Sequence, residues 1–275
     1  MVFCVYYNCL DNRLWKEGIK LFHLMKVEWQ KVRLPVVCTA LVLTAAALLL
    51  TCTRYREYML RYDLEAWEIG TELFSFIFPL PVTLPLCWNL YQERKNHFLA
   101  YVLPRVPIKK YLAAKWLVYA LGAFLILFLP HVLAGAAALY VKPAVEPLLY
   151  DQEKFRHVFA DVFVEMPMCY AFVLSLWKGV IGVLMMTFGF VLALFADNAF
   201  VILTGPFIYS VLENFTLAVL RLERYRLVVS FEPSCVAADA VNLASMLSGP
   251  LLLMSVTALT LVCFRWIKKT AVVSI

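Results

Sequence analysis

The sequence predicts an all-α, polytopic membrane protein with six transmembrane helices and an N-terminal amphipathic interfacial helix. Three observations carry this. Residues 116–141 run for 26 positions without Asp, Glu, Lys or Arg, and similar stretches recur along the chain. Hydrocarbon about 30 Å thick needs roughly 20 apolar residues of helix to cross it, so these stretches have the required length. Of the 275 residues, 63% are hydrophobic and only 16% charged, which is not the balance of a water-soluble domain. The stretch LPVVCTALVLTAAALLLTC, residues 34–52, also has no polar side, whereas a soluble helix keeps a single apolar stripe and strands rarely reach this length.

The spans are expected at 34–53, 73–92, 116–141, 170–196, 198–220 and 243–264. Arg33 and Arg54 bracket the first, Glu72 and Glu93 the second, and Arg265, Lys268 and Lys269 close the sixth. Lys178 and Glu213 interrupt the fourth and fifth. The chain then divides into an N-terminal segment 1–33, a transmembrane domain 34–264 and a tail 265–275. Segments 1–33, 93–115 and 265–275 hold 15 Lys and Arg against nine in the other connections. The positive-inside bias therefore predicts a multi-pass protein of the cell membrane with both termini cytoplasmic. The net charge of +6 follows from that topology and from anionic lipid, and it does not call for nucleic acid. The apolar start MVFCVYYNCL is short and runs into a charged segment, so no cleavable signal peptide is expected.

Within residues 14–33, Trp15, Ile19, Phe22, Trp29 and Val32 recur at helical spacing, and Lys16, Lys20, His23 and Lys31 fall largely on another side. That pattern suits a helix lying in the inner interface. It also suits a cytoplasmic helix packing against the rest of the protein.

The connection ERKNHFLAYVLPRVPIKKYLAAK, residues 93–115, combines an apolar-aromatic cluster with two prolines and a basic run. Such a cluster can dock as a short helix into a groove on a partner, or it can simply extend the second span. The pattern E-R-(x)n-L-P-R-V-P-(x)2-K-Y-(x)3-K, with the amphipathic start and six spans, resembles the permease subunits of bacterial type-2 ATP-binding-cassette exporters. The small size is similar to exporters of peptides, bacteriocins or toxins. The resemblance implies a coupling loop seated on an ATPase subunit, formed here by Glu93, Arg94, Phe98, Leu103, Pro104, Arg105 and Pro107. It also implies a dimer of permeases. Small residues at Gly179, Gly182, Gly189 and from Ala134 to Ala138 could allow close helix contact in such a dimer.

None of the nine glycines opens a G-x-x-x-x-G-K-[ST] phosphate loop, so ATP and magnesium are expected on the partner ATPase and no cofactor in this chain. The implied function is export of an amphipathic or hydrophobic peptide, lipid or drug by alternating access. The rival readings are a membrane sensor or immunity subunit paired with an ATPase, and an intramembrane enzyme. The enzyme reading lacks support, because neither H-E-x-x-H nor G-x-S-x-G occurs. The eight cysteines form no C-x-x-C and suit small apolar fillers.

Within the spans, Pro79, Pro81 and Pro85 interrupt the second. Prolines remove backbone donors, and irregular backbone at membrane depth must be satisfied by protein or a watery cavity. They either line a translocation path or fill space as a static kink. His131, after Pro130, is either a polar group bound at a bend or a proton relay. Lys178 lies 19 residues before Asp197 and Glu213 lies 16 after it, so both reach a similar level, where they either pair or extend separately to headgroups.

Overall fold

The computed structural model describes residues 2–102, 104, 106–143, 159–236 and 241–267. Among these residues the protein is helical throughout, with no strand. Six helices are long and apolar enough to cross a membrane: Leu21–Glu57, Phe74–Lys95, Ile108–Tyr140, Pro167–Phe195, Ala199–Val219 and Leu243–Phe264. Six helices of crossing length were expected, and six are found among the described residues.

The first helix, α1, runs unbroken from Val2 to Arg54 through Pro35. An interfacial helix was expected to precede a separate first span, and here the two segments are one continuous helix. The reason is tertiary. Val32, Val36, Ala40, Leu43 and Ala47 recur at three- and four-residue spacing, are buried, and form the seam that packs on α6 (Ile108–Tyr140). Glu28 is buried in line with that seam, while Leu34, Val37, Leu41, Val42 and Leu49 face outward. Within the amphipathic segment, Glu28 and Val32 thus pack inside the bundle while Phe22 is exposed. The side chains of Trp15, Lys16, Ile19 and Lys20 lie outside the described residues.

The second span is a broken rod. The short helices α2 (Glu65–Thr71) and α3 (Phe74–Ile77) lead into α4 (Pro79–Lys95), and the junction residues Glu72, Leu73 and Phe78 keep helical dihedrals. Pro79 takes the first position of α4, where its missing N–H costs nothing, while Pro81 cannot bond back into α3. Phe78, at the junction, stacks flat on Phe231 with centroids 4.5 Å apart.

The connection after α4 is shorter than the sequence pattern indicates. Residues 93–95 belong to α4 and Ile108–Lys115 to α6, so only 96–107 link them, with the five-residue helix α5 (Phe98–Val102) between. After α6 come α7 (Ala160–Glu165), α8 (Pro167–Phe195) and α9 (Ala199–Val219). The turn from α8 to α9 takes three residues, and the Asn198 side chain caps α9 by accepting from the Phe200 N–H at 2.9 Å. A short helix α10 (Leu227–Phe231) and then α11 (Leu243–Ile267) complete the chain.

Helix α8 is the axis. Within its apolar window 72% of residues are buried, against 22% in α1 and α9 and 17% in α11, so α8 is central and the other three are peripheral. Its small residues serve contacts within the chain. A methyl at Gly179 would lie 2.7 Å from the Phe124 ring, at Gly182 2.7 Å from Leu127, and at Gly189 2.9 Å from Cys87. Ala134 and Ala138 are likewise fully buried. These positions bind helices of one chain together.

Candidate functional site

Two charged centres are built into the bundle. The first joins α1, α4 and α6. Glu28 from α1, Glu93 from α4 and Lys115 from α6 meet with Lys31 at its edge. Lys31 Nζ lies 2.6 Å from Glu28 Oε1 and 2.9 Å from Glu93 Oε1. Lys115 Nζ lies 2.7 Å from Glu28 Oε2 and also bonds Glu93 Oε2. The Tyr111 hydroxyl donates to Glu93 Oε2 at 2.9 Å, and Lys115 sits between the Tyr111 and Tyr119 rings. Two cations face two anions, so the centre is neutral. Burial is tolerable for such a group only because each charge is paired and hydrogen-bonded.

The next residue, Arg94, points the other way. Its guanidinium donates to Ala193 O at 2.9 Å and Ala196 O at 2.6 Å, and also bonds Asp197. Ala193 O is among the last carbonyls of α8 and Ala196 O belongs to its capping residue, so both lie at the negative end of the helix dipole. The planar fork of arginine reaches two carbonyls and a carboxylate together. Adjacent residues of α4 therefore fasten it to α1 and α6 on one side and to α8 on the other.

Of the residues assigned to the coupling loop, Glu93 and Arg94 are thus engaged within the chain. Phe98 is exposed and lies under Lys31, whose Nζ is 4.8 Å from the ring centroid. Pro104 and Pro107 are exposed. Leu103 and Arg105 lie outside the described residues.

The second centre lies deep in the bundle and corrects a pairing. Lys178 does not meet Glu213. Its Nζ lies 2.5 Å from Glu232 Oε2, and neither side chain is exposed. Ser234 donates to the Glu232 carboxylate at 3.1 Å, the Thr71 hydroxyl, which donates to Trp67 O, lies 3.4 Å from it, and the rings of Trp67 and Phe231 flank the ammonium at 4.6 and 5.2 Å. Level alone does not decide partners. The segment after α9 folds back into the bundle, with Leu227 to Pro233 all buried, and it carries Glu232 to Lys178. Glu213 instead accepts the Leu227 N–H at 3.0 Å, the first backbone donor of that returning segment.

His131 sits beside this centre. Its Nδ1 lies 2.7 Å from Leu127 O, so Nδ1 carries the proton and donates, while Nε2 is buried without a partner between Phe74 and Phe231. Pro81 and Pro130 share a narrow apolar void with it that has no room for water. Pro79 is buried, and Pro81 and Pro85 are half-buried. Among the described residues no group of three or more His, Cys, Asp and Glu is gathered to hold a metal.

Glu28 and Glu232 are the site residues that sequence reasoning missed. Each had a trace: Glu28 is an acid within a basic segment, and Glu232 ends the apolar run LVVSF in what reads as a loop. On α8, Lys178 precedes Asp197 by 19 residues, about 28 Å at 1.5 Å per residue, so the two centres occupy different levels of the bundle. Comparison with protein-family models, with characterised proteins and with solved structures yields no match.

Proposed function

We propose that this chain is the membrane-spanning subunit of an ATP-driven exporter, with both termini in the cytoplasm and a separate ATPase gripping the connection 96–107. The observation that carries the reading is the mounting of α5. This short helix presents Tyr101, 75% exposed, and it follows directly on the Glu93–Arg94 joint. Force applied at α5 reaches α1 and α6 through Glu93 and α8 through Arg94. A partner docking there has leverage on four of the six long helices at once.

Membrane insertion is supported by the outer faces of the bundle. The exposed faces of α1, α9 and α11 are apolar, with Leu41, Val42, Phe215, Val219, Leu251 and Leu259 among their outward side chains. Contiguous apolar surface on this scale belongs in hydrocarbon, not water. In this reading ATP hydrolysis on the partner tilts the α4–α6 corner and switches the bundle between inward- and outward-facing states. The cargo class that fits is amphipathic or hydrophobic.

The test is purification of the full chain from native membranes in detergent, followed by mass spectrometry of what accompanies it. An ATP-binding-cassette ATPase is expected with the wild type and is expected to be lost with Tyr101→Asp. Recovery of no nucleotide-hydrolysing partner, or equal recovery with Tyr101→Asp, refutes the reading. Cargo flux that stops when the partner's ATP site is disabled separates an exporter from a sensor subunit.

A further inference from the structure

Between the first halves of α8 and α11 lies a cavity of about 430 Å³, within the roughly 300–1,000 Å³ range of ligand clefts. Its floor is buried and apolar, formed by Tyr170, Leu174 and Met246. Its rim is exposed and apolar, formed by Val162, Val173 and Leu247. The two polar atoms that floor and wall could offer are already engaged. Trp177 Nε1 donates to Ser230 O at 2.9 Å, and the Tyr170 hydroxyl is hydrogen-bonded to Glu68. Among the described residues lining the groove no free polar side chain remains to hold a charge or a headgroup. Left empty, it would forfeit the dispersion contacts that close packing supplies elsewhere in a folded chain.

We infer that this groove binds one acyl chain of a bilayer lipid. The inference rests on the reading that the chain is embedded in a membrane. The occupant follows from continuity: beside the rim residues Val173 and Leu247, at adjacent and helical spacing, stand the exposed apolar residues Phe172 and Leu176 of α8 and Leu251 of α11. On that reading those faces meet hydrocarbon, so the groove opens into a solvent of acyl chains and its lining selects against anything else. The bound chain lies against Pro233, the neighbour of Glu232, and thus supports the segment that holds Glu232 on Lys178.

The test uses the full chain in phosphatidylcholine vesicles whose lipid carries a diazirine midway along one acyl chain. After irradiation, adducts are mapped by peptide mass spectrometry. Labelling of residues 170–177 and 243–247 is expected to exceed that of the outward α1 stretch 37–42 several-fold. Met246→Trp fills the floor, and it is expected to bring groove labelling down to the α1 level while α1 labelling stays constant. Leu247→Trp, at the rim, is expected to do the same, and it keeps the test intact if Met246→Trp does not fold. Groove labelling no higher than α1 in the wild type, or unchanged in the filled variants, overturns the inference while leaving the membrane reading in place. Absence of adducts on α1 as well overturns both.

Discussion

Lys178 on α8 and Glu232 after α10 form a fully buried ion pair at 2.5 Å, although 54 residues separate them in the chain. The pair fixes the returning segment against the central helix. Burying two charges costs several kcal/mol per ion, so this contact specifies where that segment sits more than it adds net stability.

Removing one partner therefore hurts more than removing both. Lys178→Met should destabilise the fold by about 3–5 kcal/mol, since it strands a buried carboxylate. The double change Lys178→Met, Glu232→Leu should recover most of that loss, whereas Lys178→Met, Glu213→Leu should not. Denaturant unfolding of the three proteins in the same micelle reads the difference. Recovery with Glu213→Leu would restore the pairing that level alone suggested.

The neutral centre on α1, α4 and α6 should respond unevenly to loss of its two lysines. The Lys115 side chain has no exposed surface, while that of Lys31 is 30% exposed. Lys115→Met leaves Glu28 and Glu93 with only the partly exposed Lys31 between them and should cost about 3–5 kcal/mol. Lys31→Met removes a charge that water already screens and should cost about 1 kcal/mol or less. Unfolding midpoints of the two variants check the ranking, and equal losses would contradict it.

Arg94 should matter for the end of α8 more than for the whole fold. Arg94→Gln frees the carbonyls of Ala193 and Ala196, and Arg94→Lys cannot replace a fork that reaches both. Amide exchange over residues 193–199 should accelerate in both variants while that of residues 178–188 stays protected. Uniform protection in Arg94→Lys would show that a point charge suffices.

Two glycines mark where backbones touch. A methyl at Gly70 would lie 2.6 Å from Thr51 Cα, and one at Gly249 would lie 2.7 Å from Leu227 Cα. Backbone cannot swing aside, so Gly70→Ala and Gly249→Ala should each destabilise by about 1–3 kcal/mol. At Gly205 the obstacle is only the Leu192 side-chain tip, at 2.8 Å, so Gly205→Ala should be near neutral. Thermal unfolding of the three variants tests the contrast.

The six long helices were determined by the sequence alone, because crossing length and the absence of charge are properties of a continuous stretch and need no knowledge of neighbours. The prolines of the second span were legible for the same reason, since a missing N–H acts where it stands. Tertiary structure decided everything that depends on which stretches meet. Glu93 and Arg94 read as a docking motif until folding turned one toward Lys115 and the other onto the end of α8. Glu28 carried no reading of its own until folding placed it against Lys115 of α6. The shared level of Lys178 and Glu213 left pairing and separate extension to headgroups both open, because helical rise gives height but not azimuth, and only the folding-back of Leu227 to Pro233 supplied Glu232. Apolar periodicity records how strongly a residue avoids water, whereas charge pairing records distances between segments that the order of residues does not encode.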